Sequence, residues 1–271
     1  MPALTLALAQ IDIILGDKAA NLAQAQPLIA RAADAGADLI LFPELWTTGY
    51  DLPRAAELAE PIPHGPAARQ LLAWAAAYGL WIGGSMLERA GERVYNAAAL
   101  FGPEGQTLGP YRKIHRFGPM AEDRWLEAGC RPGVFDPPWG KTGVAICYDL
   151  RFPELFRSYA LAGARLILLP SEWPHPRLHH WRTLVQARAI ENACFVAAVN
   201  RVGRDRDNAF CGHSMMVGPW GEVLIEGDET PDLLLAAIDL AQADEARARI
   251  PVLSDRRPAC YEASPPSAPR R

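Results

Sequence analysis

The sequence has few cysteines, no long apolar run and no excess of positive charge, and each of these absences excludes a class of protein. Its five cysteines are odd in number, widely spaced and never arranged as Cys-x-x-Cys, which argues against a disulfide framework and a zinc ribbon. No apolar segment approaches the roughly 20 residues that span a bilayer, and the amino terminus lacks the basic region of a signal peptide. We therefore expect a cytoplasmic protein with no membrane partner.

The charged residues are nearly balanced, and this balance argues against partners that are bound by a positive field. With 27 basic and 31 acidic side chains the formal net charge is −4, so long-range attraction to nucleic acid is not expected. The expected partner is a small molecule. Half of the 271 residues are hydrophobic, enough for one large core. We predict a single domain over residues 1–261, followed by a flexible, proline-rich tail at 262–271.

The two halves of the chain carry the same order of predicted elements. The segments GADLILFPELW (36–46) and GARLILLPSEW (163–173) are identical at seven of eleven positions, and GPEGQTL (102–108) resembles GPWGEVL (218–224). Because a duplicated α/β unit can bury its two sheets against each other, we predict a four-layer α-β-β-α sandwich built from two similar halves. Hydrophobic periodicity predicts strands at 3–11, within 36–46, and at 80–87, 93–101, 142–147, 165–170, 193–199 and 212–217, and helices at 17–35, 65–78, 153–162 and 177–192.

One cysteine lies at a turn between a predicted strand and a predicted helix, a position suited to a catalytic residue. Cys147 follows the apolar run Thr142–Ile146 and precedes Pro153, which is well placed to begin a helix. Ligands of open α/β sheets bind at the carboxyl ends of strands, and a helix amino terminus stabilises a thiolate. The alternative is an inert buried thiol.

A carboxylate and a cation accompany this thiol as candidates. Glu44 ends a predicted strand beside Pro43 and two aromatic residues, where partial burial would raise its pKa and make it a better base; the alternative is a surface loop residue. The segment PYRKIHRF (110–117) contains Lys113 and precedes Glu122 and Glu127. By itself that segment is most typical of a solvated basic loop. An anion-binding loop for substrate fits its charges as well as a source of catalytic cations does.

Taken together, these residues resemble the nitrilase superfamily of carbon–nitrogen hydrolases. FPELWTTGY (42–50), YRKIHRF (111–117) and GVAICYDLRFPE (143–154) are similar to its glutamate, lysine and cysteine motifs and occur in the family's order. The resemblance extends over nearly the whole chain, through ARAIEN (187–192) and PVLSDRRPACY (251–261). It implies the four-layer sandwich already predicted from the repeat, and a homodimer.

The resemblance also implies roles for individual residues. Cys147 would be the nucleophile, Glu44 the general base and Lys113 the cation beside the tetrahedral intermediate. The family has a second glutamate after the lysine, which aligns best with Glu122 and alternatively with Glu127. The implied reaction is amide hydrolysis through a thioester, with release of ammonia and without a metal or organic cofactor.

Within the superfamily, CYDLRFPE, the Trp-Pro loop and HWRTLVQARAIEN are most similar to the ω-amidase type. This implies a monoamide of a small dicarboxylate as substrate. Other members act on nitriles, N-carbamoyl compounds or deaminated glutathione, and a non-catalytic protein that kept the fold is a further alternative.

A monoamide of a dicarboxylate keeps one free carboxylate, and the binding site needs a cation to hold it. Arg151, Arg177 and Arg182 are candidates, although Arg151 could instead pair with Asp149 or Glu154. We expect Tyr148 to supply a backbone N–H to the oxyanion. Trp173 is predicted to line the pocket, with core packing as the alternative.

Overall fold

The computed structural model describes residues 3–261 and contains two six-stranded sheets flanked by helices. The strands are β1 (Leu4–Gln10), β2 (Leu39–Leu41), β3 (Trp81–Ala90), β4 (Arg93–Phe101), β5 (Thr107–Arg112), β6 (Gly133–Phe135), β7 (Thr142–Val144), β8 (Leu166–Ser171), β9 (Phe195–Asn200), β10 (Val202–Arg204), β11 (Ala209–Cys211), β12 (Met215–Val217), β13 (Val223–Glu226) and β14 (Asp232–Ile238). The helices are α1 (Lys18–Asp34), α2 (Ala55–Leu58), α3 (Pro66–Tyr78), α4 (Glu122–Trp125), α5 (Pro153–Leu161), α6 (Leu178–Asn192), α7 (Ala241–Arg249) and α8 (Pro258–Tyr261).

The two sheets have equivalent topologies, which confirms the predicted sandwich of two similar halves. In sheet 1 the order is β14-β1-β2-β3-β4-β5, and in sheet 2 it is β6-β7-β8-β9-β12-β13. Each sheet has three parallel central strands, continued by two antiparallel strands on one side and one on the other. The similar segments 102–108 and 218–224 form the same tight turn in the two halves.

Alternation along the strands explains the four layers. Leu6 and Leu8 of β1 belong to the core shared with sheet 2, whereas Ala7 and Ala9 belong to the cluster packed under α1 and α3. Successive side chains of a strand point to opposite faces, so both faces of sheet 1 are buried. Small alanines on the outer face let the helices approach the sheet closely.

Local signals place the helix ends. Asp17 caps α1 by accepting a hydrogen bond from the N–H of Ala20 at 3.0 Å, as an N-cap aspartate does. Proline occupies the first position of both α3 and α5, and Gly79 ends α3 with φ of 71°, a conformation that glycine adopts without strain.

Several elements differ from the prediction. The strand predicted at 142–147 ends at Val144, because a 3₁₀ turn begins at Cys147. The strand within 36–46 is reduced to Leu39–Leu41. The sequence prediction missed β14, which pairs with β1 more than 200 residues earlier and carries the second half of the chain back into sheet 1. The predicted flexible tail at 262–271 lies outside the described residues, as do residues 1 and 2. Among the described helices, none is both long enough and apolar enough to cross a bilayer.

The core between the sheets makes a stability prediction. Leu8 is fully buried there, whereas Leu224 of β13 is 40% exposed. Replacing Leu8 by Ala leaves a cavity and is expected to lower the free energy of unfolding by about 2–5 kcal/mol. The matched Leu224→Ala change is expected to lower it by less than about 1 kcal/mol. Urea unfolding followed by circular dichroism measures both, and equal losses would contradict the assignment of this core.

Candidate active site

The candidate residues meet where strands of both sheets end. Glu44 lies three residues after β2 and Lys113 directly after β5, both in sheet 1. Glu122 begins α4. Cys147 follows β7 of sheet 2 at the start of a 3₁₀ turn. The structure therefore brings together, from four separate parts of the chain, the four residues that the sequence proposed for chemistry.

Lys113 lies between two buried carboxylates. Its Nζ is 2.7 Å from Oε1 of Glu44 and 2.8 and 2.9 Å from the two carboxylate oxygens of Glu122. Glu44 and Glu122 are fully buried and Lys113 is 2% exposed. Burial lowers the pKa of Lys113, but the charges of Glu122 and Glu44 outweigh it and raise the pKa above its ordinary value. The ammonium group therefore stays charged in the protein interior.

Glu122 has no solvent contact and is held by groups from three directions. Besides Lys113, its oxygens accept hydrogen bonds from the hydroxyl of Tyr50 at 2.9 Å and the N–H of Phe117 at 2.5 Å. Burial raises the pKa of Glu122, Lys113 opposes this effect and Glu44 adds to it. Glu127, the alternative at the sequence level, is exposed. The geometry thus places Glu122, and not Glu127, beside the lysine.

Glu44 is fixed by groups that sequence reasoning did not identify. Its Oε1 accepts from Nδ2 of Asn96 at 2.7 Å, and its Oε2 accepts from the backbone N–H of Glu172 at 3.1 Å. Ser85 orients Asn96 through a 2.8 Å hydrogen bond and also accepts from the N–H of Leu45. Ser85 and Asn96 are polar residues at buried positions of strands, and that exception to the apolar pattern is the signal that could have pointed to them.

Cys147 is a buried thiol in a strained backbone. It is 5% exposed and its φ is 43°, a left-handed conformation that is unfavourable for a residue with a Cβ. Burial and the negative charge of Glu44 raise the pKa of the thiol well above its ordinary value, with Lys113 opposing them. The expectation that a helix amino terminus would stabilise a thiolate is therefore wrong for this arrangement. The raised pKa keeps the thiol neutral beside Glu44.

Asp149 holds the turn that carries Cys147. Its Oδ2 accepts from the N–H of Ile146 at 2.9 Å and from the hydroxyl of Tyr111 at 2.6 Å, while its Oδ1 lies 2.7 Å from Nδ1 of His115. Asp149 is fully buried. These contacts tie the cysteine turn of sheet 2 to the end of β5 in sheet 1, next to Lys113.

A narrow cleft that is open to solvent reaches Cys147. Its walls include Tyr148, Arg151, Trp173 and Arg177. The guanidinium of Arg151 lies over the Trp173 ring, 4.7 Å from its centroid, so Trp173 both lines the cleft and packs in the core. Within residues 3–261, the backbone N–H of Tyr148 has no hydrogen-bond acceptor.

Arg151 and Arg177 bring positive charge to the cleft without a carboxylate partner in the described chain. Arg151 does not pair with Asp149 or Glu154, and contacts Trp173 and Nδ1 of His180 at 3.3 Å instead. Burial and then the charge of Arg177 lower the pKa of Arg151. The two guanidinium groups together form a site suited to an anion.

The other sequence candidates lie elsewhere. Arg182 pairs with Glu226 at 2.6 Å and is not part of the cleft. Arg188 and Glu191, three residues apart on α6, form an ion pair at 2.9 Å. Residues 3–261 contain no group of three or more His, Cys, Asp or Glu side chains arranged to hold a metal ion.

Comparison with known proteins agrees with this geometry. The chain is 42% identical over 259 residues to the 2-oxoglutaramate amidase of Bacillus subtilis, covering 95% of this chain and 99% of the relative. It is 35% identical over 255 residues to the omega-amidase NIT2 of Danio rerio, covering 90% and 91% of the two chains.

One solved structure with a similar fold contains a covalently modified active-site cysteine. A glutamate-to-glutamine mutant of the amidase from Nesterenkonia sp. AN1 superposes with a TM-score of 0.84 at 29% identity, over 96% of this chain and 95% of that one. That structure shows covalent addition of the acetamide moiety of fluoroacetamide at the active-site cysteine. The family model described as carbon-nitrogen hydrolase matches residues 5–248 of this sequence. The chain belongs to the carbon–nitrogen hydrolase family, within the nitrilase superfamily.

Proposed function

We propose that the protein is an ω-amidase-like thiol amidohydrolase that removes ammonia from the monoamide of a small dicarboxylate. One observation carries the proposal: the neutral thiol of Cys147 adjoins the buried Glu44–Lys113–Glu122 network at the base of a cleft that also presents Arg151 and Arg177. The network suits amide cleavage, and the two arginines suit a carboxylate at the other end of the substrate.

In the first half of the reaction, Glu44 takes the thiol proton as Sγ of Cys147 attacks the amide carbon. The carbonyl oxygen becomes an oxyanion, which Lys113 and the backbone N–H of Tyr148 stabilise. The protonated Glu44 then gives its proton to the amide nitrogen. The carbon–nitrogen bond breaks, ammonia leaves, and a thioester remains on Cys147.

In the second half, Glu44 takes a proton from water as the water oxygen attacks the thioester carbon. The tetrahedral intermediate again places its oxyanion at Lys113 and Tyr148. Collapse breaks the carbon–sulfur bond, the proton on Glu44 returns to the departing sulfur, and the dicarboxylic acid is released. Glu122 does not exchange a proton in this scheme. Its charge keeps Lys113 protonated and fixes the position of Nζ.

The choice of substrate class is supported by the relatives and by the cleft. The two relatives are a 2-oxoglutaramate amidase and an omega-amidase. A nitrile, an N-carbamoyl compound or deaminated glutathione would use the same reacting residues. The pair of arginines disfavours a nitrile without a carboxylate, and the similarity to the two relatives favours a dicarboxylate monoamide over N-carbamoyl amino acids and deaminated glutathione, which also carry carboxylates.

The proposal also includes a cytoplasmic homodimer. All five cysteines are free thiols, which agrees with a reducing compartment. The homodimer follows from the resemblance to the superfamily, and sedimentation of the full chain tests it.

The first test measures ammonia release from 2-oxoglutaramate, succinamate, a plain aliphatic amide, a nitrile and an N-carbamoyl amino acid. We expect turnover of the two monoamides, and a loss on the order of 10⁴-fold or more in Cys147→Ala, which lacks the nucleophile. Cys130 is exposed, so Cys130→Ala serves as the control. Activity confined to the nitrile or the carbamoyl compound would contradict the substrate class, and activity surviving in Cys147→Ala would contradict the mechanism.

A second pair of variants tests which glutamate supports the lysine. Glu122→Gln removes a charge that touches Nζ of Lys113, and we expect kcat to fall by about 10²–10³-fold. Glu127→Gln changes an exposed residue of the same segment and should alter kcat by less than about twofold. Thermal unfolding of both variants shows whether the fold is retained. A larger loss in Glu127→Gln would reverse the assignment.

A third set tests the carboxylate site. Arg177→Ala should raise KM for succinamate by about 10–100-fold, the effect of losing one charged hydrogen bond, while KM for the uncharged butyramide changes little. Arg182→Ala, which removes an arginine paired with Glu226 outside the cleft, is the matched control. Equal changes for the two substrates would mean that Arg177 does not bind the carboxylate.

A further inference from the structure

Glu172 has a buried carboxyl group that takes no part in the proposed reaction steps. It directly follows β8, it is fully buried, and it lines the cleft that reaches Cys147. Its Oε2 accepts a hydrogen bond from Nη1 of Arg201 at 2.7 Å. Its Oε1 has no hydrogen-bond partner within residues 3–261. A buried polar atom without a partner is costly, and a ligand in the cleft is a natural source of one.

The surroundings of Glu172 favour its uncharged form. Arg201 is shared, because its Nη2 lies 3.1 Å from Oδ1 of Asp12 and its Nη1 lies 4.0 Å from Asp205. The single guanidinium of Arg201 therefore lies near three carboxylates and balances their charge only in part. The carboxylate of Glu44 is also close to Glu172. Burial raises the pKa of Glu172 to about 8, Glu44 and Asp205 add to the effect, and Arg201 opposes it. Since Oε2 accepts from Arg201, the proton belongs on Oε1, which becomes an O–H donor.

The substrate groups at either end of the cleft already have partners. In the proposed function, the amide binds at Cys147 and Glu44, and the carboxylate binds at Arg151 and Arg177. Glu172 belongs to the same cleft and offers a single neutral donor. The remaining hydrogen-bond partner for Glu172 is therefore a substrate oxygen that lies between the amide and the carboxylate. Among monoamides of small dicarboxylates, a 2-oxo group supplies such an acceptor.

We infer that Glu172 is a specificity-determining residue, whose Oε1–H donates a hydrogen bond to the 2-oxo oxygen of a 2-oxo dicarboxylate monoamide. This inference rests on the proposed function and deepens it. A 2-ammonium group at the same position has only N–H donors, so it would offer no acceptor to the O–H of Glu172. It would also bring a positive charge close to Arg201, Arg151 and Arg177. The arrangement therefore also disfavours the 2-amino analogue, glutamine.

The test compares 2-oxoglutaramate with glutaramate, which has the same length, amide and carboxylate but lacks the 2-oxo group. The measured quantity is the ratio of the two kcat/KM values. In Glu172→Met we expect the ratio to fall about tenfold, the effect of losing one hydrogen bond, mainly through a higher KM for 2-oxoglutaramate. Glu172→Gln should retain the ratio within about threefold, because its amide N–H replaces the O–H while its carbonyl still accepts from Arg201.

The pH dependence of the same ratio provides a readout that a structural role would not change. As pH rises through about 8, the wild-type Glu172 loses its proton, so the donor disappears and the ratio falls. In Glu172→Gln the ratio should stay constant with pH. Charged and titratable groups around Glu172 affect both substrates alike and cancel in the ratio; they are Asp12, Glu44, Lys113, Cys147, Arg151, Arg177, Arg201 and Asp205.

The outcomes separate this inference from the proposed function. An equal fall for both substrates in Glu172→Met would assign Glu172 a purely structural role and overturn the inference. If Glu172→Gln no longer prefers 2-oxoglutaramate to glutaramate, the assignment of Glu172 as a donor would be overturned. If the methionine variant does not fold, the wild-type and glutamine pH profiles decide the question. A wild-type ratio near one would overturn the inference alone, whereas no turnover of either amide would overturn the proposed function with it.

Discussion

The contact between the ammonium of Lys113 and two buried carboxylates is the interaction on which the site depends. A single buried charge is strongly unfavourable, and the lysine is stable here because Glu44 and Glu122 both lie within hydrogen-bond distance of Nζ. Each carboxylate in turn needs further donors, which Asn96, Tyr50 and backbone N–H groups provide. The site is consequently a connected hydrogen-bond network, and it is rigid because each member is held by another.

In the proposed mechanism this network lets a neutral thiol act as the nucleophile. Burial and the adjacent carboxylate raise the pKa of the Cys147 thiol, so sulfur would gain its charge only as Glu44 removes the proton during attack. The positive charge of Lys113 would then lie where the oxyanion forms, already oriented by Glu122. Because these groups are fixed before the substrate enters, little reorganisation is needed in the transition state.

The two-sheet architecture brings unlike groups to one place. Sheet 1 contributes Glu44 and Lys113, and sheet 2 contributes Cys147 and Glu172. The repeat places Ser171 where the first half has Glu44, so the two halves are similar in backbone and different in chemistry. Arg201, which follows β9, contacts Asp12 from the first half and Glu172 from the second. The cluster of candidate catalytic residues thus depends on the contact between the halves, and neither half contains it alone.

The sequence by itself determined eight of the strands, four of the helices, the duplicated plan, and the candidacy of Glu44, Lys113 and Cys147, since periodicity and motifs are properties of short segments. It left Glu122 and Glu127 unresolved, as well as Arg151, Arg177 and Arg182. It also missed β14 and the contacts that Ser85, Asn96 and Glu172 make around Glu44. Only the tertiary structure decided these points, because they depend on burial and on distances between groups far apart in the chain. The protonation of Cys147 belongs with them, since desolvation and neighbouring charges arise only when the sheets pack together.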